Sequence, residues 1–435
     1  MSPELIGIVG IGGMLLFMFL GIPITICMAT TGFCGIAAIF GINMAASMVG
    51  TLPFTTMAVY LLTVLPVYLL MGEFADVSGL MKDSYRAANS WLGGLPGGLA
   101  MASIVGAALF SAVSGSSMAC AAIMARISLP ALLDEYKYDP RLATGALCAG
   151  GTLGNLVPPG IAFVFYALLS ETSIGKLYVA SLIPGVILTV MYLIQIYIQC
   201  RLNPVLGPRA MKTTWKQKLF ATKDLIALLI IFVLVMGGIY AGIFTPTEAG
   251  TIGTLFTLLF TIFRRKLNKQ HLAQVLKNSI GISGMAFAII MAAEIFTRFI
   301  ALSGLSAALA KWVIGLDLSP VAVIIWIMII YFILGTAMDT ITMILLTLPV
   351  FLGVVNALGI DLIWFGVLVI IQVELSNITP PVGMNLFVVG SMVKERNIRM
   401  STVFLGVLPF CLTMLLFTVL MIAFPQLALF LTRHM

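Results

Sequence analysis

The sequence predicts an all-α polytopic membrane protein made of two related halves, and three observations predict it. Its 435 residues are 61% hydrophobic and 9% charged, against roughly 45–50% and 25% in soluble chains. The pattern Asn-x-x-Pro-Pro occurs twice in apolar surroundings, at Asn155–Pro159 and Asn377–Pro381, 222 residues apart. Loops at equivalent positions of the two halves carry opposite charge bias.

No stretch of domain length lacks long apolar runs, so no soluble domain separates from the membrane part. The net charge of +7 resides mainly in short loops between apolar segments. Membrane orientation accounts for it there, which argues against nucleic-acid binding. The first apolar stretch follows neither Lys nor Arg nor a clear small-residue cleavage site, and is expected to be a retained transmembrane helix. The six cysteines, Cys27, Cys34, Cys120, Cys148, Cys200 and Cys411, lack paired spacing and read as small apolar residues. His271, in a basic loop, and His434, at the C-terminus, are poorly placed for a metal site or a buried base.

Further matches hold nearly the same offset. Glu73, followed by Ser78-Gly79-Leu80, corresponds to Glu294, followed by Ser303-Gly304-Leu305; Pro23 after Gly21 corresponds to Pro246 after Gly242. The loops then give direction. Lys212, Lys216, Lys218 and Lys223 mark one cytoplasmic segment, and Arg264, Arg265, Lys266, Lys269 and Lys277 another. The counterpart of the second, residues 42–55, is an uncharged loop. The loop from Arg126 through Lys137 to Arg141 is basic while its counterpart 348–363 has only Asp361, and Lys394, Arg396 and Arg399 outnumber Lys176. Opposite bias at equivalent loops means an inverted-topology repeat with an odd number of crossings per half.

The first repeat is expected over 1–205, a basic cytoplasmic linker over 206–223, and the second repeat over 224–435. Apolar spans lie near 4–20, 24–41, 54–76, 141–170 and 177–201, then 225–244, 248–263, 278–300, 361–393 and 401–431, giving about ten transmembrane helices. Those at 141–170 and 361–393 contain the Pro-Pro pairs. Two adjacent prolines remove two backbone donors and break the helix, leaving carbonyls free. The remaining stretches, 95–133 and 317–357, must begin and end on one side. Their arms, Leu95–Val113 and Ser117–Ala131 in the first, are slightly short of the roughly 20 residues that span a bilayer, so they read as re-entrant helical hairpins. Both termini are then periplasmic.

The hairpin middles are small and polar: Ser114, Gly115, Ser116 and Ser117 in the first, and Gly335 through Thr336, Ala337, Met338, Asp339 and Thr340 in the second. Ser114 lies 44 residues before Pro158, and Thr336 lies 44 before Pro380. Hydroxyls, carbonyls and a carboxylate are hard oxygen donors that suit Na⁺. One cation site is expected from the first tip with Gly151, Gly154, Asn155 and Val157. A second is expected from Thr336, Asp339 and Thr340 with Ser376, Asn377 and Thr379. Half-helices beginning after Pro159 and Pro381 aim positive dipole ends at the same level, so an anion is expected beside Ser116, Asn155, Pro158, Gly160, Asn377, Pro380, Gly383 and Asn385. Arg298 can pair with Glu294 one turn earlier, the alternative being a substrate carboxylate. Arg126 and Glu374 are intramembrane charges to which the pattern gives no definite role. Small residues also occur where helices merely pack closely, but here breaks and tips recur together.

These residues resemble the large membrane subunit of tripartite ATP-independent periplasmic (TRAP) transporters, within a superfamily of elevator-type ion transporters. The resemblance rests on Gly242-Ile243-Phe244-Thr245-Pro246-Thr247-Glu248-Ala249, Ser114–Ser117, Gly154–Gly160 and Asn377–Asn385, and covers essentially the whole chain. It implies a Na⁺-driven bacterial inner-membrane importer of an organic acid, sialic acid or a C4-dicarboxylate foremost. It further implies delivery by a periplasmic substrate-binding protein, a small four-helix membrane subunit as partner, and tips and broken helices in a moving transport domain against a static scaffold. A stand-alone Na⁺/dicarboxylate symporter of the same superfamily is the alternative. An intramembrane enzyme using Ser116 or Ser117 would need an activating base, which neither histidine provides.

Overall fold

The computed structural model describes residues 2–209, 213–336 and 338–435, so Lys212 of the linker and Ala337 of the second tip lie outside the described residues. The first half contains α1 (Pro3–Phe19), α2 (Ile24–Phe40), α3 (Ile42–Met57), α4 (Val64–Ser78), α5 (Leu80–Leu92), α6 (Gly98–Ser114), α7 (Ser117–Leu129), α8 (Pro140–Leu156), α9 (Ile161–Ser170) and α10 (Ile174–Leu202). The linker forms α11 (Trp215–Lys223). There follow α12 (Ile226–Phe232), α13 (Gly238–Tyr240), α14 (Pro246–Phe263), α15 (Lys269–Ser303), α16 (Leu305–Gly315), α17 (Pro320–Gly335), α18 (Thr340–Ala357), α19 (Leu362–Asn377), α20 (Met384–Lys394), α21 (Met400–Ala423) and α22 (Gln426–Leu429). Among the described residues there is no strand.

The helix starts repeat at the spacing of the motif. α2 and α14 begin at Ile24 and Pro246, α6 and α17 at Gly98 and Pro320, and α8 and α19 at Pro140 and Leu362, each pair 222 apart. Ser78 and Ser303 play the same local part: each hydroxyl donates to a carbonyl three residues back, Ala75 at 2.7 Å and Ile300 at 2.8 Å, and accepts from Leu80 N and Leu305 N at 3.3 Å. The glycines that follow, Gly79 at φ +81° and Gly304 at φ +71°, take the left-handed turn that separates the helices.

Several expectations need correction. Residues 42–55, expected as an uncharged loop, are helical within α3, because a run without charge has little to hold it in water as a loop. The basic segment after α14 is a short turn, since Lys269 and Lys277 already belong to the 35-residue α15. The linker is not featureless: Thr214 and Gln217 form a capping box that starts α11. The final span ends at Ala423 rather than near 431. Among the described residues six helical segments are long and apolar enough to cross a membrane, and two bent pairs, α8–α9 turning by 43° and α11 with the helix Ile226–Tyr240 turning by 46°, could each add a broken one. Two of the six are the second arms of the hairpins, 19 residues in Ser117–Glu135 and 18 in Thr340–Ala357, whereas the first arms are shorter.

Thr245 and Glu248 explain the Thr-Pro-Thr-Glu-Ala stretch. The Thr245 hydroxyl accepts from Glu248 N at 3.3 Å while Glu248 Oε2 accepts from Thr245 N at 2.8 Å, with Pro246 at the first helical position. Thr245→Ala is expected to cost about 1 kcal/mol, read as a lower unfolding midpoint of the detergent-solubilised protein.

Packing is reciprocal. α7 of the first half lies on α20 of the second and α18 lies on α9; α8 packs on α21 and α10 on α19. Equivalent elements thus exchange partners, as in a two-fold interface. A second group, α1, α2 and α4 with α14 and α15, packs together at the side. Where α8 crosses α21, a Cβ on Gly145 would sit 2.2 Å from the Gly406 carbonyl oxygen, and one on Gly406 2.1 Å from that of Arg141. Small residues let the two backbones touch.

Candidate functional site

Each hairpin tip sits on the break of its own half. Gly115, at φ +63°, turns the chain between α6 and α7, and its carbonyl accepts from Ile161 N, the first residue of α9, at 3.0 Å. A Cβ on Gly115 would meet the Pro159 carbonyl at 2.4 Å and one on Gly154 the Ser116 carbonyl at 2.6 Å. In the second half a Cβ on Gly335 would meet Ser376 Cβ at 2.5 Å. The Pro158–Pro159 and Pro380–Pro381 peptide bonds are both cis. The tips also start their second arms in the same way: Ser116 caps α7 by accepting from Ala119 N at 3.4 Å, and Asp339 caps α18 by accepting from Ile341 N at 3.2 Å.

The four segments converge on Glu374, which is fully buried in α19. Its Oε2 accepts from the Ser117 hydroxyl at 2.7 Å, and its Oε1 from Asn155 Nδ2 at 2.7 Å, Asn377 Nδ2 at 3.3 Å and Thr340 Oγ1 at 3.5 Å. Asn377 Nδ2 also donates to Thr340 Oγ1 at 2.7 Å. Asn385 Nδ2 donates to Ser117 Oγ at 2.9 Å, while its own buried Oδ1 has no partner. One carboxylate therefore holds both Asn-x-x-Pro-Pro asparagines and the first residue of each second hairpin arm. Sequence reasoning leaves it unassigned, although an acid one helical turn before Asn377 is a usable signal.

Beside this cluster lies a cavity of about 320 Å³, lined by Ser114–Ser117, Asn155, Asp339 and Thr340 on one side and by α4 and α15 on the other. Glu73 and Asp76 of α4 face into it, and no Lys, Arg or His lines it among the described residues. Glu73 accepts from Asn278 Nδ2 at 2.9 Å.

The other predicted residues, apart from Arg298, belong to the hairpins and broken helices but do not line the cavity. Gly151 is pressed against Ala121 and Asn385, and Gly160 against the Asn155 carbonyl. Gly383, Pro158, Ser376 and Asn377 are buried in the breaks, and Pro380 is half-buried. The hydroxyls of Thr336, Ser376 and Thr379 donate to Ile333, Gln372 and Leu375 carbonyls at 2.8, 2.9 and 2.7 Å. Val157 and Thr379 line separate apolar grooves. Arg298 is not brought to the cavity; its Nε donates to Glu294 at 3.2 Å on the exposed side of α15.

The donor set suits a small hard cation: hydroxyl, amide and backbone oxygens, one buried carboxylate, and the orphaned Asn385 Oδ1, a buried acceptor that a cation would satisfy.

A family model described as the tripartite ATP-independent periplasmic transporter DctM component matches residues 11–427. The chain belongs to this family. It is 32% identical over 377 residues to the C4-dicarboxylate TRAP transporter large permease protein DctM of Pseudomonas aeruginosa, covering 86% of this chain and 87% of that one. It is 30% identical over 425 residues to the sialic acid TRAP transporter large permease protein SiaM of Vibrio cholerae, covering 96% of each. The ectoine TRAP transporter large permease protein TeaC of Halomonas elongata is 29% identical over 425 residues, covering 95% of this chain and 96% of that one. In fold the chain is similar to the Alcanivorax borkumensis YdaH transporter, with a TM-score of 0.63 at 15% identity over 88% of this chain and 89% of that one. It is also similar to Neisseria gonorrhoeae MtrF, with a TM-score of 0.61 at 11% identity over 98% and 95%. The chain is thus a TRAP large permease, a multi-pass membrane transporter component.

Proposed function

We propose that this TRAP permease imports an organic acid anion across the bacterial inner membrane with Na⁺, by an elevator movement of the tips and broken helices against a scaffold of α1, α2, α4, α14 and α15. The observation that carries the proposal is the meeting of both tips and both breaks at Glu374 beside a cavity whose far wall is α4 and α15. A boundary between two packed groups of helices is where such a movement would expose and occlude cargo. The hydroxyls of Ser114, Ser116 and Ser117, with Asn155 and the Gly151, Gly154 and Val157 carbonyls, would hold one Na⁺. Thr336, Asp339 and Thr340, with Ser376, Asn377 and Thr379, would hold the second. Na⁺ is cargo here, and its charge would attract the substrate carboxylate, which the amide groups at the start of α9 and α20 also favour.

The inverted repeat, with both termini periplasmic and the linker cytoplasmic, belongs to the same proposal and is supported by the reciprocal packing and the charge bias of the loops. A small four-helix membrane subunit would cover exposed apolar scaffold surface, and a periplasmic binding protein would deliver the cargo. Between the two foremost substrate classes, Glu73, Asp76 and Asp339 on the cavity wall favour a singly charged acid such as sialic acid over a dicarboxylate, because each added negative charge is repelled. Proteoliposomes containing the permease and its partners are expected to accumulate labelled sialic acid only under an inward Na⁺ gradient. Uptake that is indifferent to Na⁺ would sink the coupling, and stronger competition by succinate than by sialic acid would sink the substrate choice.

A further inference from the structure

Glu374 lies in the protein's interior without a cationic partner: among the described residues, no Lys, Arg or His lies within ion-pair distance of it. A buried carboxylate is tolerated where its oxygens are hydrogen-bonded and a positive charge is near. Its donors are not local. Ser117 comes from the first hairpin and Asn155 from the first break, Thr340 from the second hairpin, and Asn377 from the second break on the same helix. The two oxygens divide the halves unevenly: Oε2 serves the first hairpin alone, while Oε1 serves the first break and both elements of the second half. Shifting any donor group therefore moves an acceptor on which the other half depends.

We propose that Glu374 is the positioning residue that couples the two cation sites, so that ordering one half's tip and break orders the other's. The inference rests on the Na⁺ reading of the site given above, and adds to it that the two sites fill together. The carboxylate need not ligate either ion. It acts by fixing Ser117 and Asn155 on one side and Thr340 and Asn377 on the other, so a cation that immobilises one pair lowers the ordering cost of the other.

Glutamine tests this with little change in shape. Its Oε1 can still accept from Asn155, Asn377 and Thr340. Its amide nitrogen, however, cannot accept the Ser117 hydroxyl proton and can only donate to the oxygen's remaining lone pair beside Asn385, so the charge-assisted link to the first hairpin becomes a reversed, neutral one. The readout is the Na⁺ concentration dependence of the unfolding midpoint of the purified permease, which requires no substrate or partner. Unaltered protein is expected to show a sigmoidal Na⁺ dependence with a Hill coefficient approaching 2. Glu374→Gln is expected to bring it to about 1 and to raise the Na⁺ midpoint about tenfold, the loss of one hydrogen bond to a charged group. A second measurement does not depend on that variant folding. Ser117→Ala and Thr340→Ala, singly and together with Glu374 intact, are expected to shift the Na⁺ midpoint non-additively, by about fivefold or more. A Glu374→Gln protein that keeps the sigmoidal response, or additive effects of Ser117→Ala and Thr340→Ala, overturns the coupling while the Na⁺ reading stands. Absence of any Na⁺ effect on the unaltered protein, with K⁺ as the control salt, overturns both.

Discussion

Asn155→Ala and Asn377→Ala are each expected to reduce Na⁺-driven uptake at least tenfold, with the larger loss for Asn155. Asn155 Nδ2 lies 2.7 Å from Glu374 Oε1, and Asn377 Nδ2 lies 3.3 Å from the same atom while also donating to Thr340 at 2.7 Å. Removing a donor from a buried carboxylate costs about 1.5–3 kcal/mol, equivalent to roughly 10- to 150-fold in an equilibrium constant by the factor of ten per 1.4 kcal/mol. The asparagine oxygen would be lost from the proposed cation site at the same time. The measurement is initial uptake into proteoliposomes across a series of Na⁺ concentrations. Loss that is recovered at high Na⁺ marks weakened cation binding. Normal uptake by both variants would remove these residues from the site.

Gly145→Val and Gly406→Val are expected to be the most damaging changes outside the site. A Cβ at these positions would lie 2.2 Å and 2.1 Å from carbonyl oxygens of the facing helix. The obstacle is backbone rather than a movable side chain, so α8 and α21 would have to separate along their crossing. Overpacking of this kind costs about 1–3 kcal/mol or more, and α8 bears Asn155 at its C-terminal end. A lower unfolding midpoint and a weakened Na⁺ response are both expected. Gly12→Val is the control: a Cβ there meets nothing within 4 Å, so its midpoint should stay within a degree or two.

What can be read in the sequence is what prolines, glycines and loop charges enforce. The breaks at Pro158 and Pro380 follow from missing donors, and the helix starts at Pro246 and Pro320 from the fixed φ of proline. The hairpins are legible from short apolar arms around a small polar middle, together with loop charges that require each stretch to begin and end on one side. α5 and α16 are not, since helices of 13 and 11 residues that begin at the Leu of Ser-Gly-Leu are too short to register as spans. Within the site, the tips and asparagines are legible from repetition. Glu374 is not, because it has no counterpart in the first half: shifting it back by 222 gives Thr152, whose hydroxyl faces Ala149 and Tyr192 instead. Repetition finds what two halves share and misses what one supplies for both. Arg298 is legible from spacing alone: the i,i+4 pairing with Glu294 is present, and the conspicuous charge in an apolar run is satisfied by its own helix.

The exchange of partners between halves also orders the birth of the molecule. α7 ends at Leu129, but the face of α20 that covers it begins at Met384, 384 − 129 = 255 residues later. At a synthesis rate of about 5–20 residues per second, the wait is roughly 13–50 s. For that interval the first hairpin stands in the lipid with Ser117 lacking both Glu374 and Asn385. The nascent first half therefore cannot complete its own interior: until the second half is made, Ser117 and Asn155 lack the partners that Glu374 and Asn385 supply.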